Sequence, residues 1–407
     1  MNTDIAVIGG GASGLAAAIS AKETAPESRV IICERMDRVG KKLLATGNGR
    51  CNLGNRNISS AMYHGSVDVM KIIGATCSAA EYFGRLGVIC VSDSEGRMYP
   101  NSNSAATVLN ALRLRCSELG IEEVCSSEIT EIKGTSGKFE LISENGRITA
   151  KRIIICTGGY AGPQYGTDGK MLGLLRKRGY RVAKITPADA PLRVLPDSVK
   201  GLKGVRVKGV VTAVSDGRKL ASEKGEIQFT ENSVSGICVF NLSHLFSKYE
   251  GKLSLFADLL PDMTEEEIIH YLKGIRKLRS SLQTEELLTG MFTKNLAIYL
   301  VKRILNRPLT DLISKISDNE IRSLAEAVKC LEFKVTGCSS WQNSQVTSGG
   351  IHADSIDEKL CSATEKGVYF AGEVLDADGI CGGYNLQCAW SSGITAGRNC
   401  ALSLNGG

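Results

Sequence analysis

The 407-residue chain contains no Cys-x-x-Cys pair, and its fourteen cysteines and four histidines fall at no zinc-site spacing. No zinc site is therefore expected. The scattered thiols read as reduced and mostly buried, in a cytoplasmic protein. No apolar run approaches the ~18 residues of a membrane span, and with the first strand read from residue 4 no signal peptide is expected. There is no internal repeat and no low-complexity linker. No second Gly-x-Gly-x-x-Gly follows a strand after residue 150, so a separate NAD(P)H domain is not expected. The basic excess is small, +6. The clusters "RKRGYR" (176–181), "KGIRKLR" (273–279) and "KRILNR" (302–307) read as solvated helix faces, or as a mildly basic approach to an anionic ligand, in preference to a nucleic-acid surface.

What is present is an ordinary soluble composition, 43% hydrophobic and 23% charged, in a chain long enough for two or three domains. The stretch "DIAVIGGGASGLAAAISA" (4–21) sets Gly9, Gly11 and Gly14 between a β-prone run and an alanine-rich helical run. In such a turn the first glycine permits the bend, the second lets the backbone approach a pyrophosphate, and the third lets helix and strand pack closely. The helix N-terminus then presents free N–H groups to the phosphates. The next strand, "RVIICE", ends on Glu34, about twenty residues on, where a carboxylate accepts hydrogen bonds from a ribose.

Further along, "GKKLLATGNGRCN" (40–52) is a basic, glycine-broken loop, and residues 66–86 and 104–119 have helical composition. Residues 125–159 alternate polar and apolar, with turns at "GTSGK" and "ENGR". They read as an antiparallel meander feeding a buried strand, Ile153 to Cys156, into a parallel sheet. The pattern then changes. Residues 190–257 read as short strands with turns at "SDGRK" and "SEKGE", and 264–332 as helices, with capped starts at "TEEE" and "SDNE". The middle is thus expected to be an insertion of a β-rich part (189–260) and a helical part (261–335) between two pieces of one nucleotide-binding domain (1–188 and 336–407).

The tail repeats the physics of the head. "GVYFAGE" is a strand ending on Gly372 and Glu373, and "DGICGGYNLQCAWSSGITAG" supplies a glycine turn followed by a small-residue helix. Two anchoring points so far apart in sequence favour FAD over a nicotinamide dinucleotide.

The combination of "GKKLLATGNGRCN", "YFAGEVLDADGICGGYNLQ" and "SSGITAG" resembles the BaiN/YhiN-like FAD-dependent flavoprotein family (aminoacetone-oxidase-type FAD-binding enzymes), over essentially the whole chain. The resemblance implies an α/β fold: a Rossmann-like FAD-binding domain of the two-dinucleotide-binding-domain flavoprotein type, interrupted by a β-barrel-like insertion and a small helical domain. It puts the pyrophosphate over Gly9, Gly11, Ala12, Ser13 and Gly14, and the adenosine ribose on Glu34 with Arg35 beside it. Lys42, Asn48, Gly49, Arg50, Cys51 and Asn52 would line the middle and flavin side. Ile129 would meet adenine through its backbone, with Thr157 and Gly158 closing that end. Gly372 and Glu373 would address the ribityl and pyrophosphate, and Gly383, Tyr384, Asn385 and Leu386 the isoalloxazine. The chain departs from many relatives at Cys388 and at Glu231, Asn232 and Ser233.

FAD implies redox work, the protein supplying orientation and electrostatics. The resemblance implies reduction of a conjugated enone of a steroid-like or dehydro-bile-acid substrate, with NAD(P)H docking transiently as electron donor. Its alternatives are oxidation of a small amine and an RNA-associated flavoprotein. No residue is singled out as catalytic and no metal is expected.

Overall fold

The computed structural model describes residues 1–135, 137–305 and 307–404. The turn expected at "GTSGK" includes Ser136 and the basic stretch 302–307 includes Asn306, both outside the described residues. The chain divides into two compact units, Met1–Pro187 with Ser344–Gly407, and Ala188–Asn343.

In the first unit the described residues build a seven-stranded sheet. Its strands include β1 (Asn2–Ile8), β2 (Val30–Cys33), β3 (Glu122–Val124), β4 (Glu131–Thr135), β5 (Lys138–Ser143) and β6 (Gly146–Ile155), with Val368–Phe370 from the tail. Strand β1 lies parallel between β2 and β6, pairing Ile8 with Cys33 and with Ile155. Ile5, Ala6 and Val7 are fully buried, as expected of a central parallel strand covered on both faces. Strand β6 is a single ten-residue strand. Its first half pairs antiparallel with β5 and its second half parallel with β1 and Val368–Phe370, so the meander and the buried parallel strand are continuous.

Helix α1 (Ala12–Thr24) follows β1, and its residues 13–21 are all buried. Such an all-round apolar helix needs a close partner. That partner is the 19-residue tail helix Tyr384–Leu402. A Cβ at Gly393 would lie 2.4 Å from the Ser13 carbonyl oxygen, and one at Gly397 would lie 2.2 Å from that of Ala17. The Ser20 hydroxyl donates to the Ile394 carbonyl at 2.9 Å. Head and tail of the chain therefore fold as one layer.

In the second unit six strands among the described residues close into a barrel: β7 (Leu192–Val194), β8 (Arg206–Ser215), β9 (Arg218–Phe229), β10 (Ser233–Ser235), β11 (Leu253–Asp258) and β12 (Leu331–Cys338). The β8–β9 hairpin turns at Asp216 and Gly217, both at positive φ. The turn expected at "SEKGE" is absent: Gly225 pairs with Gly209 in mid-strand. Ladder pairing outweighs the turn preference there, and the missing side chain makes room for Cys238, which a Cβ would approach to 3.2 Å. Helices Glu265–Leu278, Lys294–Leu305 and Asp318–Lys329 lie between β11 and β12, and residues 331 and 332, read from sequence as helical, instead begin the closing barrel strand. Two of these helices start with capping boxes, Thr264 with Glu267 and Ser317 with Glu320. No helix among the described residues is long and apolar enough to cross a membrane.

Candidate functional site

The site builds from the end of β1. Gly9 sits at φ +103, and a Cβ there would lie 2.5 Å from the Cys156 carbonyl oxygen. A Cβ at Gly14 would lie 1.9 Å from the Gly9 carbonyl oxygen, whereas nothing lies within 4 Å of the Cβ position of Gly11. The turn is closed against the protein on two sides and open on the third. Gly11 is the N-cap of α1; no side chain caps the helix, and its first turn holds no acidic residue. These amides are left for an external anion, which the helix end favours.

Beside the turn, Glu34 is 9% exposed. Its Oε2 accepts from the Gly10 amide and its Oε1 from the Met36 amide, both at 2.8 Å. Burial raises the carboxyl pKa, and the amides of Met36 and Gly10 only partly counter it, so the net shift is upward. Each oxygen keeps a lone pair for a ribose hydroxyl. Across the turn, the buried Thr157 hydroxyl has no hydrogen-bond partner among the described residues, and Gly158 follows at φ +70. An open glycine cradle, an uncapped helix end, a buried carboxylate and an unpartnered hydroxyl together fit a dinucleotide laid across the strand ends.

The tail closes on the same place. A Cβ at Gly372 would lie 2.3 Å from the Ser13 hydroxyl, and the Gly372 amide donates to the Ser392 hydroxyl at 2.9 Å. Ser13 in turn donates to the Ala371 carbonyl at 3.3 Å. Lys42 makes a 2.6 Å ion pair with Glu373, whose other oxygen accepts from the Thr347 amide at 2.9 Å. The Thr347 hydroxyl accepts from the amides of Tyr160 and Ala161 at 2.8 and 3.0 Å. Sequence reasoning noted the segment "VTSGGI" but not Thr347, because nothing local distinguishes a threonine that ties three chain segments together.

The loop 46–52 is left-handed at Gly47, Asn48, Gly49 and Cys51, conformations a non-glycine residue adopts rarely. Arg50 is exposed; its guanidinium lies 4.8 Å over the Tyr99 ring and its Nε donates to the Gly47 carbonyl. Cys51 is fully buried, and burial pushes its thiol up to about 12, so it is a packing residue, not a thiolate. With its amide turned to match its surroundings, Asn52 donates to the Met98 and Gly54 carbonyls and accepts from the Gly383 amide at 3.0 Å.

Gly383 caps the tail helix at φ +98, and a Cβ there would lie 2.3 Å from the Gly54 carbonyl oxygen. Tyr384 is buried, and its hydroxyl donates to the Asn57 carbonyl at 3.2 Å. Asn385 clamps the backbone of Gly379 through both amide atoms at 2.7 Å, and Leu386 packs against the core. The side chains of Tyr384 and Asn385 are thus committed to backbone partners. Arg35 points into a carboxylate cluster, 2.8 Å from Asp168 and 3.4 Å from Glu128, and Ile129 is buried next to that cluster in sequence. Sequence reading missed Asp168. Among the described residues no group of three or more His, Cys, Asp or Glu is placed to hold a metal.

Residues 3–399 match the family described as HI0933-like protein Rossmann domain. The chain is 33% identical to the 3-dehydro-bile acid delta(4,6)-reductase of Clostridium scindens, over 98% of both chains. It is 25% identical to the ribosomal RNA dihydrouridine synthase of Haemophilus influenzae, again over 98% of both. In fold it is similar to the 3-ketosteroid delta1-dehydrogenase of Sterolibacterium denitrificans, at 13% identity and a TM-score of 0.50, covering 99% of this chain and 100% of that one. The glycine cradle at the end of β1, closed by the tail helix, and the full-length family match lead to one conclusion: the chain belongs to the HI0933-like Rossmann family of BaiN/YhiN type and is an FAD-dependent oxidoreductase.

Proposed function

We propose that the chain reduces a carbon–carbon double bond conjugated to a carbonyl, with NAD(P)H as transient electron donor and a steroid-like or dehydro-bile-acid enone as substrate. The observation that carries this reading is the 33% identity, over 98% of both chains, to a protein named for reducing the delta(4,6) bonds of a 3-dehydro-bile acid.

In this reading the amides at Gly11, Ala12 and Ser13 and the end of α1 hold the pyrophosphate, with Gly9 and Gly14 giving the turn its shape. Glu34 accepts from the adenosine ribose, with Thr157, Gly158 and the Ile129 backbone at the same end. Lys42 would lie along the middle, Gly372 and Glu373 would address the ribityl and pyrophosphate, and residues 48–52 and 383–386 would face the ring. Bound FAD supplies hydride transfer. The chain's part is to orient it and exclude water. The tail helix has no side-chain cap at its N-terminus, and the partial positive charge there would favour the anionic reduced form of a ring held beside it.

A second substrate class has its own support in the 25% identity to a protein named as a ribosomal RNA dihydrouridine synthase. Uridine also carries a double bond conjugated to a carbonyl, so the reaction type is shared and only the approach of the substrate differs.

Anaerobic titration separates these readings. NAD(P)H bleaches the yellow protein, and a conjugated 3-ketosteroid or dehydro-bile acid restores the colour. Recolouring only by a uridine-containing ribosomal RNA fragment selects the second class. Recolouring by neither, or bleaching by a small amine alone with peroxide released in air, overturns the proposal.

A further inference from the structure

We propose that Asp168 is a positioning residue for the cofactor: it holds Arg35, and through Arg35 it clasps the loop 158–169 against the ribose end of the FAD site. The inference rests on the placement of FAD proposed above.

The loop begins directly after the unpartnered hydroxyl of Thr157 and follows a path that glycine makes possible, with Gly158, Gly162, Gly166 and Gly169 all at positive φ. It is folded on itself. The Thr167 hydroxyl donates to the Gly162 carbonyl at 3.0 Å, and a Cβ at Gly169 would strike the Tyr160 ring at 2.1 Å. Its base is fixed where Thr347 accepts from the amides of Tyr160 and Ala161. Its far end has a different anchor, made of charge. Arg35 Nη1 lies 2.8 Å from Asp168 Oδ2 and 3.4 Å from the Gly166 carbonyl, while Nη2 lies 3.4 Å from Glu128. Lys170 completes the cluster, 3.2 Å from both carboxylates.

The placement makes this cluster more than a surface ornament. Arg35 directly follows Glu34, the proposed ribose acceptor, and Glu128 directly precedes Ile129, the proposed adenine neighbour. The Asp168–Arg35 bond thus ties the tip of a loop to the two segments that would bracket the adenosine. A Cβ at Gly166 would lie 2.8 Å from Met36 Cγ, so the loop also packs on the residue whose amide orients Glu34. Burial raises the Asp168 carboxyl pKa, but hydrogen bonds from Arg35 and from Lys170 more than offset it, and the group stays ionised. Arg35 and Asp168 are each a little over a quarter exposed, so salt weakens the clasp without abolishing it.

The test is the rate at which the holoprotein releases FAD, followed by the return of flavin fluorescence after dilution. Asp168→Asn should speed release roughly 2- to 5-fold in low salt, as for a partly exposed ion pair, with the Tm of the apoprotein falling by no more than about 2 °C. Raising NaCl from about 50 mM to about 1 M should speed release from the wild type and much less from the variant. Arg35→Gln should match Asp168→Asn, and the double variant should be no faster than either single one. Arg35→Lys keeps the charge without the fork and should give an intermediate rate, so it tests the clasp even where Asp168→Asn does not fold. A yellow Asp168→Asn or Arg35→Lys protein that releases FAD at the wild-type rate overturns the clasp alone, as do additive effects in the double variant. A wild-type protein that binds no FAD overturns the cofactor placement itself.

Discussion

Substitution of Glu34 is the most direct perturbation of the proposed ribose contact. Its carboxylate accepts two backbone amides at 2.8 Å while 9% exposed. Glu34→Ala removes every acceptor, and losing charged hydrogen bonds to the ribose should weaken FAD by ~1.5–3 kcal/mol, or roughly 10- to 150-fold in Kd. Glu34→Gln keeps the shape and one acceptor oxygen but turns an NH2 toward either the Gly10 or the Met36 amide. It should weaken FAD by about 1 kcal/mol, and the unsatisfied amide should destabilise the apoprotein by a further ~1–3 kcal/mol.

The pH dependence separates the two effects. Because the folded pKa of Glu34 stands above its ordinary 4.5, the folded chain takes up this proton at a higher pH than the unfolded chain. This group's contribution to stability is therefore fully present below 4.5 and is lost as pH rises through the folded pKa. FAD affinity moves the other way, since protonation removes the charged acceptor. Titration of apoprotein with FAD across this window should show Kd rising on acidification in the wild type and staying flatter in Glu34→Gln. An unchanged Kd in Glu34→Ala at neutral pH would falsify the ribose contact, whatever happens to the Tm.

Two further outcomes follow from close packing and burial. Gly397→Ala would gain ~1 kcal/mol of helix propensity, yet its Cβ would lie 2.2 Å from the Ala17 carbonyl oxygen. Overpacking of ~1–3 kcal/mol or more should win, so a thermal melt showing an unchanged or raised Tm contradicts the close approach of α1 and the tail helix. Cys51, with its thiol near 12 and no exposed surface, should resist alkylation in the folded protein at about pH 8, while the exposed Cys330 reacts. Peptide mapping that finds both labelled at similar rates removes the packing role assigned to Cys51.

The sequence by itself determined what is local or periodic. The β1–turn–α1 unit was legible because each glycine answers a short-range demand that Gly9 and Gly14 meet in the fold: a positive-φ bend at the strand end, and contact between a helix start and its own strand. Capping at Thr264 and Ser317 was legible for the same reason, since a cap lies within one helical turn of the residue it bonds. Only the tertiary structure decided the rest. It assigned Gly225 to a strand instead of a turn, because the partner strand was unknown from sequence, and it made residues 331–338 the closing strand of a barrel whose other strands lie about a hundred residues away. It showed that Arg35, Asp168 and Thr347 tie together segments remote in sequence, and that Tyr384 and Asn385 spend their side chains on backbone. Hydrogen bonds and ion pairs reach only a few ångströms, so a residue type sets which partners it accepts, and the fold alone determines which of them arrive.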